Sequence, residues 1–173
     1  MFIYIWLFVA SLACSATGHG NLDSFSTSPT SWTQYQYNFT ATATSHTLMF
    51  GFSSDSYGSR SWYLDTVSVV DNAAPSTQLL QNPGFDNSSS VLTGWTQYCT
   101  STCSSNAGKA TGSSCQSGNC YVDRCPSTYR TTLIDFLSQT FPTTIGHVYK
   151  ISFWIVNSGS GFSFYSKAYV DVY

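Results

Sequence analysis

Alternating apolar and polar residues recur along the chain in short runs that are bounded by Gly, Pro, Ser and Asn. In residues 32–43, Tyr35 and Tyr37 share one face of an extended chain, whereas Gln34 and Gln36 share the other. A period of two is that of a β-strand. Comparable runs are TLMFGF from Thr47, WYLDTVSVV from Trp62, FLSQTF from Phe136, VYKISFWIV from Val148 and FSFYSKAYVDVY from Phe162. About eight short strands separated by turns predict an all-β sandwich or jelly roll.

Composition supports strands and narrows the classes of partner. Aromatic residues make up 17% of the chain, charged residues make up only 8%, and none of the eight acidic residues is Glu. Such a chain lacks the residues that favour exposed helix positions. Six Lys plus Arg and a net charge of -2 form no basic stripe, which argues against nucleic-acid binding. The aromatic content also argues against intrinsic disorder.

Residues 1–16 are predicted to be a signal peptide. An apolar run over residues 2–13 is shorter than the ~20 residues of a membrane-spanning helix, and small residues follow it up to Ala16. We therefore expect a secreted, extracellular protein without a stable membrane span. No Lys or Arg precedes the apolar run, so a wrongly assigned start within a longer gene is the alternative.

Cleavage after residue 16 would remove Cys14 and leave five cysteines in a Ser/Gly-rich stretch. These disulfide candidates are Cys99, Cys103, Cys115, Cys120 and Cys125. Export to an oxidising compartment favours disulfides, whereas zinc is disfavoured because the spacings are not C-x2-C and no His is near. An odd number leaves one thiol free or bonded to another chain, and the spacing does not determine the pairing. Asn38 and Asn87 begin N-glycosylation sequons.

Two segments carry a family resemblance. The stretch NPGFDNSSSVLTGW from Asn82, followed by LSQTFPTTIGHVYKISFWI from Leu137, resembles the N-terminal half of the galactose-binding-like β-sandwich modules. These include the carbohydrate-binding modules found on xylanases and glucanases. Residues 32–71, which end in WYLDTVSVVD, resemble the C-terminal half of the same module. The resemblance implies a jelly-roll sandwich that binds oligosaccharide.

The two halves occur in reversed order relative to the family. We predict one domain over residues 22–173, in which residues 22–71 correspond to the family's C-terminal half and residues 77–173 to its N-terminal half. The chain is then either a slice of a tandem array or a circular permutant. We favour the permutant, because domain ends often lie close together and two half-cores would expose much apolar surface. It predicts Tyr173 near residues 24–32, and residues 78–80 in the same sheet as residues 64–70.

The resemblance implies a glycan-binding sheet face. Its candidate residues are Trp154, Tyr165, Lys167, Tyr169, Trp32, Gln34 and Gln36, together with a loop carrying Tyr57, Arg60 and Trp62. Flat rings stack on the C–H faces of sugars, while amide and charged groups replace the water bonds of hydroxyls. The alternative is an ordinary Tyr-rich sheet face, with Trp154 packed under a loop.

Calcium and catalysis are the remaining questions. The resemblance implies a structural Ca²⁺ between Asp65 and Asp86, and two unrelated surface aspartates are the alternative. No Glu, no paired-carboxylate motif and no G-x-S-x-G motif are present, so we predict no enzymatic activity. The predicted function is a secreted, non-catalytic carbohydrate-binding module. The alternatives are an extracellular structural or adhesion protein linked through its odd cysteine, and an enzyme inhibitor acting through the Cys-rich loop.

Overall fold

A computed structural model describes residues 14–128, 132–161 and 164–173, and most of its regular structure is β-strand. The strands are, in chain order, β1 Asp23–Phe25, β2 Thr33–Thr40, β3 Ser45–Asp55, β4 Ser61–Asp71, β5 Ala74–Gln78, β6 Thr96–Tyr98, β7 Lys109–Thr111, β8 Cys120–Asp123, β9 Pro126–Ser127, β10 Asp135–Pro142, β11 Val148–Ser158 and β12 Lys167–Val172. A short helix, α1 Thr100–Cys103, and a 3₁₀ turn over Ser104–Asn106 lie between β6 and β7. Within the described residues, no helix has the length and apolar character needed to cross a membrane.

The strands form two sheets, which confirms the predicted all-β sandwich. The first sheet has the order β1-β12-β3-β10-β6, and the second has the order β2-β11-β4-β8-β7. β5 pairs with β4, and β9 pairs with β3. The β3–β9 pair is parallel, whereas the pairs along the two sheet orders are antiparallel.

The sheets enclose a core built from the inward face of each alternating strand. Phe50 and Phe52 of the first sheet and Phe153 and Ile155 of the second are fully buried. The same cluster contains Trp95, whose ring stacks on that of Phe85 with centroids 5.3 Å apart. Its members are Phe25, Ala41, Leu48, Phe50, Phe52, Trp62, Leu64, Val67, Val69, Leu80, Phe85, Trp95, Tyr121, Leu137, Phe141, Tyr149, Ile151, Phe153, Ile155, Ala168 and Val170. Both motif-bearing segments of the sequence therefore contribute side chains to one interior.

The ends of the two segments lie beside each other. β1 pairs with β12, so that Ser24 is opposite Tyr169, and the amide of Leu22 donates to the carbonyl of Val170 at 3.0 Å. Tyr173 continues past β1, and its hydroxyl lies 3.1 Å from Nδ1 of His19. In the second sheet, Gln78 is opposite Val70.

All six cysteines form disulfides within the chain. The pairs are Cys14–Cys99, Cys103–Cys125 and Cys115–Cys120. The expectation of an odd cysteine that links to a partner chain is therefore wrong, because Cys14 pairs with Cys99 and leaves no free thiol. The remainder of the predicted signal peptide, residues 1–13, lies outside the described residues.

Candidate functional site

The outer face of the second sheet carries polar side chains at its edge. β2 turns Tyr35, Tyr37 and Phe39 toward the core cluster, so Gln34 and Gln36 project outward and are exposed. Among the strands that the structure describes, β2 pairs with β11 alone, which makes β2 the edge strand. This face of a half-buried edge strand remains accessible from solvent.

β11 continues the same surface toward the middle of the sheet. Ile151, Phe153 and Ile155 are buried, so the alternate residue Trp154 lies on the outer face, where it is partly exposed. Trp154 is directly opposite Gln34. The structure therefore brings together the predicted site residues Gln34, Gln36 and Trp154 on one face.

Two further rings extend this patch. Trp32, immediately before β2, meets the ring of Tyr63 edge-on with centroids 6.5 Å apart, and both rings are partly exposed. Tyr63 lies on β4, opposite Val156 of β11. We call Trp32, Gln34, Gln36, Tyr63 and Trp154 the ring face. Sequence reasoning missed Tyr63, although its position one residue from Trp62 in an alternating strand gave the signal.

Trp62 points in the opposite direction from Tyr63. Its side chain is fully buried against Phe52, and its indole N–H donates to the carbonyl of Ser53 at 2.9 Å. Trp62 therefore belongs to the core and offers no surface to a ligand.

Lys167 and Tyr169 lie on the other side of the sandwich. Both belong to β12 of the first sheet, where Ala168 and Val170 point into the core. Since packed sheets are ~10 Å apart and these side chains point away from the second sheet, they do not face the same ligand as the ring face.

The N-terminal segment covers part of that other face. His19 packs its ring on Phe136 with centroids 4.5 Å apart, and Ala16 packs against the cluster that contains Phe136. The buried carboxylate of Asp171 accepts the amide of Gly20 at 2.7 Å and lies 2.9 Å from Nδ1 of His19. The segment is thereby held at both ends, by Cys14–Cys99 and by Asp171.

The remaining predicted site residues lie in loops. Tyr57 is 69% exposed and lies near Tyr165, with ring centroids 6.4 Å apart. The guanidinium of Arg60 donates to the carbonyls of Gly161 and Asn157 at 3.1 and 2.8 Å. Arg60 therefore ties two loops together, and two of its N–H donors are engaged within the protein.

Asp65 and Asp86 converge on one loop, which the Cys115–Cys120 disulfide closes. Asp65 accepts the amides of Gln116 and Ser117 at 3.1 and 2.9 Å, and Asp86 accepts the amide of Asn119 at 2.8 Å. Calcium requires oxygen ligands, whereas the groups gathered here are N–H donors. The donor set therefore fits anchoring of the loop and does not fit a Ca²⁺ site.

A buried carboxyl pair, Asp123 and Asp135, was not expected from the sequence. The two residues are 1% and 0% exposed, and Oδ2 of Asp123 and Oδ1 of Asp135 have no hydrogen-bond partner among the described residues. Burial raises the pKa of both carboxyls, and the negative charge of Asp135 raises that of Asp123 further. One proton held by the pair relieves this repulsion. The pair is sealed inside the sandwich, whereas glycosidase carboxylates flank an accessible bond.

Both sequon asparagines are exposed. Asn38 lies on β2 opposite Lys150, on the same side of the second sheet as Gln36. Asn87 lies in the loop before β6, where its amide donates to the side-chain oxygen of Asn82 at 3.2 Å.

Comparison with protein-family models, curated proteins and solved structures gave no match to this chain.

Proposed function

We propose that this chain is a secreted, non-catalytic carbohydrate-binding module that binds glycan on the ring face. The observation that carries the proposal is the group of three partly exposed rings, Trp32, Tyr63 and Trp154, beside two exposed glutamines. Exposed aromatic patches on soluble proteins are typical of interaction sites.

The chemistry of the ring face suits sugars. Aromatic rings offer flat apolar surfaces to the C–H faces of a sugar, and each glutamine supplies both a donor and an acceptor to its hydroxyls. Sugar hydroxyls lose hydrogen bonds to water when the sugar binds. The protein must replace these hydrogen bonds, because an unpaired polar group costs free energy when it is buried. Gln34 lies directly opposite Trp154, so an amide side chain is the cross-strand neighbour of the indole.

We also infer that the sandwich is a galactose-binding-like jelly roll in circularly permuted order. The pairing of β1 with β12, the position of Gln78 opposite Val70 and the shared core support this inference. A rearranged chain with residues 77–173 first, then a flexible linker and residues 14–71, is expected to fold cooperatively with all six cysteines oxidised. Failure of this chain to fold while the original chain folds would contradict the inference.

Secretion rests on the apolar leader and on the three disulfides, which are typical of oxidising compartments. The disulfide-linked form of the adhesion alternative has no cysteine to use, because all six cysteines pair within the chain. A protein partner on the aromatic face is the part of that alternative that the glycan test below distinguishes.

The test compares the wild type with Trp154→Ala and with Tyr169→Ala on a glycan array, followed by titration of any ligand found. We expect Trp154→Ala to lose affinity by about tenfold or more, because one stacking ring is removed, while Tyr169→Ala binds normally. Circular dichroism and the thermal midpoint must show that both variants are folded. Equal binding by wild type and Trp154→Ala would remove the ring face from the function, and repeating the array with chelator tests for a metal requirement.

A further inference from the structure

A cavity of about 190 Å³ lies on the outer side of the second sheet, and Val122 in its lining is the cross-strand neighbour of Tyr63 of the ring face. It is lined by Ser61 of β4, Val122 of β8, Lys109 of β7, Arg124 and the turn residues Ser105 and Asn106, among others. Two cationic residues, two serines and an asparagine therefore line one small depression. This is the donor set that binds an anion.

Cross-strand pairing connects the ring face to the lining of the cavity. Tyr63 is opposite Val122, and Val122 is in turn opposite Lys109. Neighbouring strands are ~4.8 Å apart, so Lys109 lies about 10 Å from Tyr63 across the sheet. A glycan stacked on Tyr63 thus reaches the cavity with an adjoining group.

The charged residues that line the cavity are both positive. None of the residues that line it is an acid. Asp123 precedes Arg124, but its side chain is buried between the sheets. Asp65, which lies on the outer side of β4, is 1% exposed and is enclosed by the amides of the Cys115–Cys120 loop. Among the described residues that line the cavity, the charged side chains are therefore those of Lys109 and Arg124.

Arg124 is already held in place on one side. Its guanidinium donates to the carbonyl of Gly58 at 2.6 Å, and its backbone amide donates to the carbonyl of Asn106 at 3.3 Å. A guanidinium has five N–H donors, so others remain available for a ligand. A cation fixed by the protein loses less conformational entropy when it binds than a free side chain does.

We propose that this cavity binds the carboxylate or sulfate group of an acidic sugar, so that the glycan recognised by the ring face is anionic. The inference rests on the proposed function, because the ring face supplies the stacking and the cavity supplies the selectivity for charge. A carboxylate and a sulfate share the same chemistry here, namely oxygen acceptors with negative charge.

The experiment titrates the full-length secreted protein with matched pairs of probes. Oligogalacturonate is compared with its methyl ester, and a sulfated galactan oligomer is compared with its desulfated form. Calorimetry measures affinity at low and high salt. We expect each anionic probe to bind about tenfold or more tightly than its neutral counterpart at low salt, because a hydrogen bond to a charged group contributes that much. The preference is expected to shrink as salt screens the charges.

Substitutions test whether the preference for anionic probes comes from the cavity. Lys109→Ala and Lys109→Glu are expected to reduce the preference for the anionic probe, while Lys167→Ala, a cation on the opposite sheet, retains it. Arg124→Gln is a second variant, and its fold is checked by the thermal midpoint because the wild-type side chain also bonds to Gly58.

The outcomes separate this inference from the proposed function. Equal binding of neutral and anionic probes, with loss of both in Trp154→Ala, would overturn the charged cavity and leave the glycan-binding function standing. An anionic preference that Lys109→Ala retains would also overturn it. Absence of binding to any glycan would contradict both proposals.

Discussion

Trp62 and Tyr63 are adjacent in the sequence and lie on opposite faces of β4. Alternation shows that two neighbours in a strand point in opposite directions, but it does not show which of two aromatic residues is inside. The pairing partners decide it here, because Tyr63 lies opposite Val156 and Val122 on the outer face. A step of one residue along β4 therefore leads from a core position, Trp62, to a position on the outer face, Tyr63.

This difference is testable by substitution. We expect Trp62→Ala to lower the free energy of unfolding by about 3–5 kcal/mol, because it leaves a cavity in the core. Tyr63→Ala is expected to change stability far less and to weaken glycan binding instead. Denaturant unfolding of both variants, with binding measured on the folded protein, checks the assignment. Comparable losses of stability in the two variants would contradict it.

The buried pair of Asp123 and Asp135 predicts an unusual dependence of stability on pH. Because the pKa of both carboxyls is raised in the folded state, their favourable contribution is present below the unfolded pKa of about 4 and is lost as pH rises through the folded pKa. Asp123→Asn replaces the unpartnered Oδ2 with an amide that donates like the protonated acid.

We therefore expect Asp123→Asn to be more stable than wild type at pH 7 and similar to it at acidic pH. Each kcal/mol gained raises the thermal midpoint by about 2–4 °C in a domain of this size. Midpoints measured across this pH range check the prediction. The prediction would be contradicted by an Asp123→Asn variant that is less stable than wild type at pH 7. It would also be contradicted by a variant whose stability depends on pH as steeply as that of wild type.

At the scale of elements, the long alternating strands were predictable and the short ones were not. β2, β4, β10 and β11 each contain enough residues for a clear period of two, and the structure has them near the expected positions. β7 and β8 have three and four residues and lie in the Ser/Gly-rich stretch, so their local pattern resembles that of a loop. β8 depends on pairing with β4, and β7 depends on pairing with β8, and the local sequence of neither strand encodes these pairings.

The β7–β8 hairpin carries a loop that depends on Asp65. We expect Asp65→Ala to loosen this loop and to lower stability by about 1–3 kcal/mol, because it removes the carboxylate oxygen that accepts the amides of Gln116 and Ser117. Hydrogen exchange at those two amides is the measurement. Asp86→Ala is the matched control, since Asp86 accepts the amide of Asn119 and neither of the other two. Unchanged exchange at Gln116 and Ser117 in Asp65→Ala would contradict the anchoring role.

The candidate site also shows where sequence reasoning ends. Residues on one strand, or on two strands with clear alternation, can be assigned to a common face from the sequence. The grouping of Trp154 with Tyr169 required knowledge of which sheet each strand joins, and β11 and β12 join different sheets. Sheet membership is a property of long-range pairing, so the predicted site was divided between opposite faces.

For the whole molecule, the N-terminal segment matters as much as the strands. Residues 14–21 pack across the first sheet and are fixed by Cys14–Cys99 and by the bonds of Asp171 to Gly20 and Asn21. Cleavage after residue 16 would remove Cys14 and leave the thiol of Cys99 without a partner. Ser11-Leu12-Ala13 also fits the small-x-small pattern of a cleavage site, and cleavage after Ala13 would preserve the disulfide.

We therefore expect the protein recovered from a secretory expression host to retain Cys14 and to have no thiol that reacts with iodoacetamide before reduction, as intact-mass measurement would show. Cys14 and Cys99 are 85 residues apart, whereas Cys115 and Cys120 are 5 residues apart. The chain-entropy estimate gives the first crosslink about 4–5 kcal/mol and the second about 2 kcal/mol. Replacing both cysteines of the first pair with Ser should thus destabilise the fold more than the same change in the second pair. A secreted monomer that begins at residue 17 and is as stable as the longer chain would show that the segment is dispensable.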